Sequence, residues 1–151
     1  MEYLQKPVNN LSSYSPREDE KEKASNGYLM SVIAVMAGLP LPIINLLASI
    51  LFFLLNRKAT YYVKWHCTQA LLSQVTIFFM NSVAFGWTVK IITGNAPLTN
   101  TYLGYLFTII IFNVTEIILN ISAAIAVRKG HHKEWWFWGA LTNRLIKPGK
   151  Q

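Results

Sequence analysis

A chain of 151 residues with 52% apolar side chains carries only 14% charged residues, against about 25% in an ordinary soluble domain. Charge is absent from three runs, 24–56, 65–89 and 91–115, of 33, 25 and 25 residues. Each exceeds the roughly 18 residues that mark a membrane segment, and three of them exclude a soluble single-core domain. The sequence reads as an all-α, polytopic integral membrane protein. The formal net charge of +7 is unevenly placed: residues 1–27 carry −1 and residues 128–151 carry +5. Bases that flank apolar runs match anionic headgroups and set membrane orientation, so the expected partner is the lipid bilayer and not nucleic acid. Cys67 is the only cysteine, which excludes an intramolecular disulfide.

Residues 1–27 read as a disordered polar tail, since Pro7, Pro16 and the mixed charges 17–23 leave little apolar surface to offset ordering. This start also lacks the apolar stretch of about 7–15 residues found in secretory signals. Residues 28–127 read as a transmembrane helical bundle. Its first apolar block, 28–55, would form a helix about 42 Å long, too long for a hydrocarbon core of about 30 Å. Gly38, Pro40 and Pro42 break the block, because each proline removes a helical donor and disfavours helix at the residue before it. A kinked span and a helical hairpin both remain open at this point. A basic connector with Arg57, Lys58 and Lys64 leads to a span over 67–92. A break at Gly94 and Pro97 leads to another over 102–127, stopped by Arg128, Lys129 and Gly130.

Counting the proline-broken pair as two gives four apolar segments. That arrangement puts both termini in the cytoplasm and satisfies the positive-inside rule slightly better than three. Residues 128–151 form a basic, Trp-rich region. Trp135, Trp138, Leu141 and Leu145 follow helical spacing, which predicts an amphipathic helix lying in the membrane interface. Trp65, Trp135, Trp136 and Trp138 are the expected interfacial anchors.

Glu116 is the most costly residue to insert, because it sits near the middle of the last span. Asn113 and Asn120, three before and four after it, share its helical face. Gln74 and Asn81 can present a matching polar stripe from the preceding span. This intramembrane cluster reads either as interhelical hydrogen-bond glue or as a proton or substrate site, with a low-dielectric setting that favours protonated Glu116. His66, Cys67, His131 and His132 lie near one interface. Their spacing matches no familiar ligand pattern and the two groups need not meet, so no metal and no cofactor are expected.

Residues 62–72 read Tyr-Val-Lys-Trp-His-Cys-Thr-Gln-Ala-Leu-Leu. With His66, Gln69, Ala70 and Leu71 at the motif positions, the segment resembles the aromatic-Val-Arg-Phe-His-x-x-Gln-Ala-Leu-Leu pattern of one family. That family comprises small bacterial membrane proteins of unknown function related to the twenty-kilodalton subunit of the chloroplast inner-envelope protein translocon. Residues 126–130, the following aromatics and Arg144 are similar to that family's ending, except that Trp138 and Gly139 occupy the stretch where a proline is usual. The resemblance implies four membrane helices with both termini on one side, and transfers no catalytic residue.

The expected function is therefore a non-enzymatic assembly or translocation-like component of a bacterial cytoplasmic (inner) membrane, multi-pass, with a cytoplasmic C-terminus. Homo-oligomerisation or other membrane proteins would supply what one small bundle cannot. The first alternative is a small transporter or proton-coupled carrier using Glu116. The second is an intramembrane enzyme, which would need acid–base groups converging at one depth, where only Glu116 is available.

Overall fold

The computed structural model describes residues 11–38 and 42–147, so Pro40 of the expected helix break lies outside the described residues. A 3₁₀ turn, Leu11–Ser13, precedes five helices: α1 (Glu18–Gly38), α2 (Pro42–Leu55), α3 (Tyr61–Ile92), α4 (Asn100–Arg128) and α5 (Trp136–Leu145). Every regular element among the described residues is helical, with no strand among them.

Among the described residues two helices, α3 and α4, are long and apolar enough to cross a membrane, rather than the four segments expected. The shortfall lies in α1 and α2. Helix α1 opens on the charged run Glu-Asp-Glu-Lys-Glu-Lys, and α2 has 14 residues, about 21 Å of rise.

Of the polar segment expected to be a disordered tail, residues 1–10 lie outside the described residues, and residues 11–27 carry ordered elements. Residues 18–27 form the first turns of α1, with Glu20, Ala24 and Ser25 buried. Glu20 holds this start in place by accepting from the backbone N–H of Arg17 at 2.8 Å, the reach-back half of a capping box. It also accepts from the Tyr14 hydroxyl at 2.9 Å. Burial and the Glu20 carboxylate push the Tyr14 phenol up to about 12, so the phenol stays a donor. Three acidic residues in the first turn also suit the positive end of the helix dipole. Composition alone misses this, because the ordering energy comes from a few contacts made by charged residues.

The chain reverses between α1 and α2. Gly38 ends the first helix and Pro42 opens the second, a position where a missing N–H costs nothing. Helix α1 packs on α2, and a Cβ placed on Gly27 would sit 3.5 Å from the Phe52 ring. Two residues nearly equidistant from the break therefore face each other, and the pair is an antiparallel hairpin rather than a kinked span.

Helices α3 and α4 also run antiparallel, as the contacts Asn81–Asn113 and Thr88–Tyr102 show. Thr99 caps α4 by accepting from the Tyr102 N–H at 3.2 Å. The well-packed core collects at one end, where Tyr28, Tyr62, Trp65, Ala124, Val127 and Trp135 meet. Away from this core large apolar side chains point outward along α3 and α4, among them Phe79, Val83, Phe107, Ile111 and Ile118. An exposed apolar surface of this extent suits lipid as its solvent.

Helix α5 forms where the spacing predicts a helix, and one of its faces meets protein. It packs along the first half of α3: Trp138 Nε1 donates to Thr76 at 3.1 Å, and Trp65 Nε1 donates to Asn143 at 2.7 Å. Trp135 is buried in the core while Trp136 is 93% exposed. The Trp135–Trp138 face thus meets protein: the Trp138 indole donor finds a partner on α3 that lipid lacks, whereas Trp135 is held by ring packing, its Nε1 buried without a partner. Of the four expected anchors, Trp136 alone is left fully outward.

Candidate functional site

The polar residues of the two long helices form one ladder across the α3–α4 seam. Asn113, Glu116 and Asn120 are all buried on one face of α4, and Gln74 and Ser73 are buried opposite them on α3. At the ladder's centre, Glu116 Oε1 accepts from Ser73 Oγ at 3.1 Å and also from the side-chain amides of Gln74 and Asn120. One level along, Asn81 and Asn113 exchange reciprocal amide bonds of 3.0 and 2.8 Å. Asn113 further donates to the Ile109 carbonyl, and Asn120 to the Glu116 carbonyl.

The bonding at Glu116 is lopsided. Three donors converge on Oε1, while Glu116 Oε2, Gln74 Oε1 and Asn120 Oδ1 are buried without a partner. The site is therefore rich in acceptors and short of donors. A proton on the carboxyl adds one donor, and a water adds two. No basic side chain bonds Glu116 among the described contacts. All five residues singled out in the sequence fall on this seam, and Ser73 joins them. Its position one residue before Gln74 is the signal that could have found it.

A second constellation links the family-like motif to the strap between α4 and α5. Gln69 Nε2 donates to Tyr28 Oη at 2.8 Å, and Tyr28 Oη lies 2.8 Å from His66 Nδ1. His66 Nε2 lies 3.3 Å from His132 Nδ1, and His132 Nε2 is 3.9 Å from the Glu134 carboxylate. One set of tautomers satisfies the chain: Tyr28 donates to His66, and His66 donates to His132. Gln69 also donates to the Lys133 carbonyl at 3.1 Å and accepts from the Trp135 N–H at 3.0 Å.

His66 and Gln69 thus clasp α1 and the 131–135 strap to α3. The strap brings His132 onto His66, although sequence spacing gave no reason for the two histidine groups to meet. His131 stays exposed and takes no part. Cys67 is buried beside Gly27, and no group of three or more His, Cys, Asp or Glu that could hold a metal occurs among the described residues. Ala70 packs in the core and Leu71 is half-buried. Tyr28, the hub between Gln69 and His66, carried no mark in the sequence beyond opening an apolar block.

The chain matches the magnetosome magnetite crystal formation family, MamF/MmsF, over residues 24–143. No curated protein and no solved structure matches it. The match spans α1 to α5 and both polar constellations, and the chain belongs to this family. The suspected tie to the chloroplast translocon subunit finds no support in these comparisons.

Proposed function

We propose that this member of the magnetosome magnetite crystal formation family is a non-enzymatic membrane component that acts by assembly, with copies of itself or with other membrane proteins. The observation that carries the proposal is the bonding across the α3–α4 seam. Ser73, Gln74 and Asn81 on one helix are tied to Glu116 and Asn113 on the other, which is how polar side chains act as glue between membrane helices. Family membership supports magnetite crystal formation as the process served.

In this reading the membrane is a bacterial inner membrane. The Arg57–Lys64 connector and the C-terminal residues face the cytoplasm, as the clustering of bases favours. The α1–α2 hairpin enters from that same side without crossing, since α2 rises only about 21 Å. Carbonate extraction of membranes tests the location, and release of the protein into the supernatant would refute it. A magnetite-forming host lacking the gene tests the role. Crystal size, read by electron microscopy, should be restored by the wild-type chain and by Glu116→Gln, and restored less well by Glu116→Leu.

One observation favours a second reading, a proton-coupled carrier. Three oxygens around Glu116 are buried without partners, an arrangement that a proton or a cation would relieve. A pH-dependent phenotype that disappears in Glu116→Gln, at unchanged protein level, would select the carrier over the glue.

A further inference from the structure

A cleft of about 440 Å³ opens between α1 and α4 at the charged end of the molecule. Its apolar side is lined by Leu29, Ile121 and Ile125, all at the surface, and its polar side, the mouth, by Asn26, Glu22, Arg128 and Lys129. Ser25 Oγ, donating to the Ala124 carbonyl at 3.1 Å, pins the two helices together at its base. The polarity changes within about two helical turns on both walls, from isoleucine to arginine on α4 and from leucine to glutamate on α1. That graded lining falls where α4 leaves its apolar run, the level at which a lipid headgroup meets its acyl chains.

We infer that this cleft is a binding site for an anionic glycerophospholipid. An acyl chain would lie against Leu29, Ile121 and Ile125, and the phosphate against Arg128 and Lys129, with Asn26 as a further donor. Charge selects the class of lipid: the mouth holds two bases against Glu22, which lies 3.6 Å from Arg128. A headgroup phosphate competes with Glu22 for the same guanidinium, so Glu22 weakens the site and sets its affinity. Basic recesses between membrane helices are a recurrent means of holding anionic headgroups. The inference rests on the membrane reading of α4, and the two fail separately. Carbonate extraction decides the membrane, whereas the titration below decides the cleft in a protein already held in detergent.

The test is native mass spectrometry of the purified full chain titrated with phosphatidylglycerol, phosphatidylcholine and, separately, inorganic phosphate. Each base near a headgroup is worth about fivefold in affinity. The Arg128→Gln/Lys129→Gln double variant should therefore lose on the order of twentyfold for phosphatidylglycerol. Phosphatidylcholine affinity should scarcely change. Glu22→Gln should bind phosphatidylglycerol more tightly than the wild type, an effect that damage to the fold cannot mimic. Lys58→Gln, which removes a base outside the cleft, should leave the affinity unchanged. Ile125→Trp, which fills the acyl slot, should weaken both lipids. Equal binding of the two lipids by the wild type would overturn the inference. So would equal losses in Lys58→Gln and the double variant, or full displacement of the lipid by inorganic phosphate, which would mark a free-anion site.

Discussion

Replacing Glu116 by glutamine should keep or raise stability, although it removes the one acidic group buried in the α3–α4 seam. In the wild type, Oε1 takes donors from Ser73, Gln74 and Asn120, while Oε2 has no partner. A glutamine keeps the first oxygen and puts an amide N–H₂ where the orphaned oxygen stood. Two acceptors, Gln74 Oε1 and Asn120 Oδ1, are buried and unpaired on the very amides that already touch this side chain. Interhelical hydrogen bonds in membranes average about 0.6 kcal/mol, so two new ones give a gain of about 1 kcal/mol.

Leucine at the same position works the other way, but its cost is limited. Ser73 Oγ can turn its single proton to the Ala70 carbonyl at 3.0 Å, and Asn120 retains the backbone carbonyl of residue 116 at 2.9 Å. Only the Gln74 amide loses its sole described partner. One buried orphaned donor costs roughly 1–3 kcal/mol, which places the two variants about 2–4 kcal/mol apart. Unfolding of the purified protein in mixed micelles of rising SDS fraction, followed by tryptophan fluorescence, measures the gap. Glutamine less stable than the wild type by more than about 1 kcal/mol would refute the reasoning, as would leucine and glutamine unfolding together.

Three further outcomes are expected. A Cβ on Gly139 would collide with the Glu134 side chain and stand 3.1 Å from Gln69 Oε1, so Gly139→Ala should unseat α5 at a cost of about 1–3 kcal/mol, read as faster proteolysis at Arg144. Burial holds the His132 imidazole below its ordinary value, with Glu134 opposing, so the unfolded chain binds that proton more readily than the folded one. The strap's stability is therefore complete above about pH 6.5 and is lost as pH falls toward the folded value. The protection factors of the amides at 131–135, exchange rates taken relative to the intrinsic rate at each pH, should fall on acidification in the wild type, and His132→Gln should flatten that response. Finally, cysteines placed at Ala59 and Asn95 should label from opposite faces of the membrane, and labelling of both from one face would contradict a crossing by α3.

What the sequence disclosed follows the range over which each force acts. The two long helices were legible because a charge-free run of that length has few soluble interpretations. The Asn113–Glu116–Asn120 face was legible because helical spacing alone puts those residues on one side of α4. The same arithmetic, applied across helices, suggested Gln74 and Asn81 as partners, and both lie on the seam. Periodicity does not say what an apolar face meets. Trp135 and Trp138 had the right spacing for a helix in the interface, yet that face is taken up by α3 through Trp138–Thr76 and through Gln69, which accepts from the Trp135 backbone.

Residues 11–27 differ from the expected tail for a related reason. Averaged over 27 residues the composition is that of a polar tail, but the order rests on Glu20, whose carboxylate joins Tyr14, the Arg17 backbone and the start of α1. Averages dilute a single well-bonded residue. The same segment supplies Ser25 to the α1–α4 contact, which the tail reading concealed, and the helix it starts carries Tyr28, the first residue of the apolar block, to the histidine chain. In this chain the long apolar helices fix location, while the charged end carries the close polar packing. Substitutions that separate the α1 start or the 131–135 strap from α3 should therefore disturb assembly more than apolar exchanges on the outward faces of α3 and α4. Phe107→Leu, on such a face and 65% exposed in the wild type, should leave SDS resistance unchanged within about 0.5 kcal/mol, whereas Tyr28→Phe removes the hydroxyl that joins Gln69 to His66 and should cost about 1–3 kcal/mol. Equal losses from the two would show that the polar end does not govern the fold.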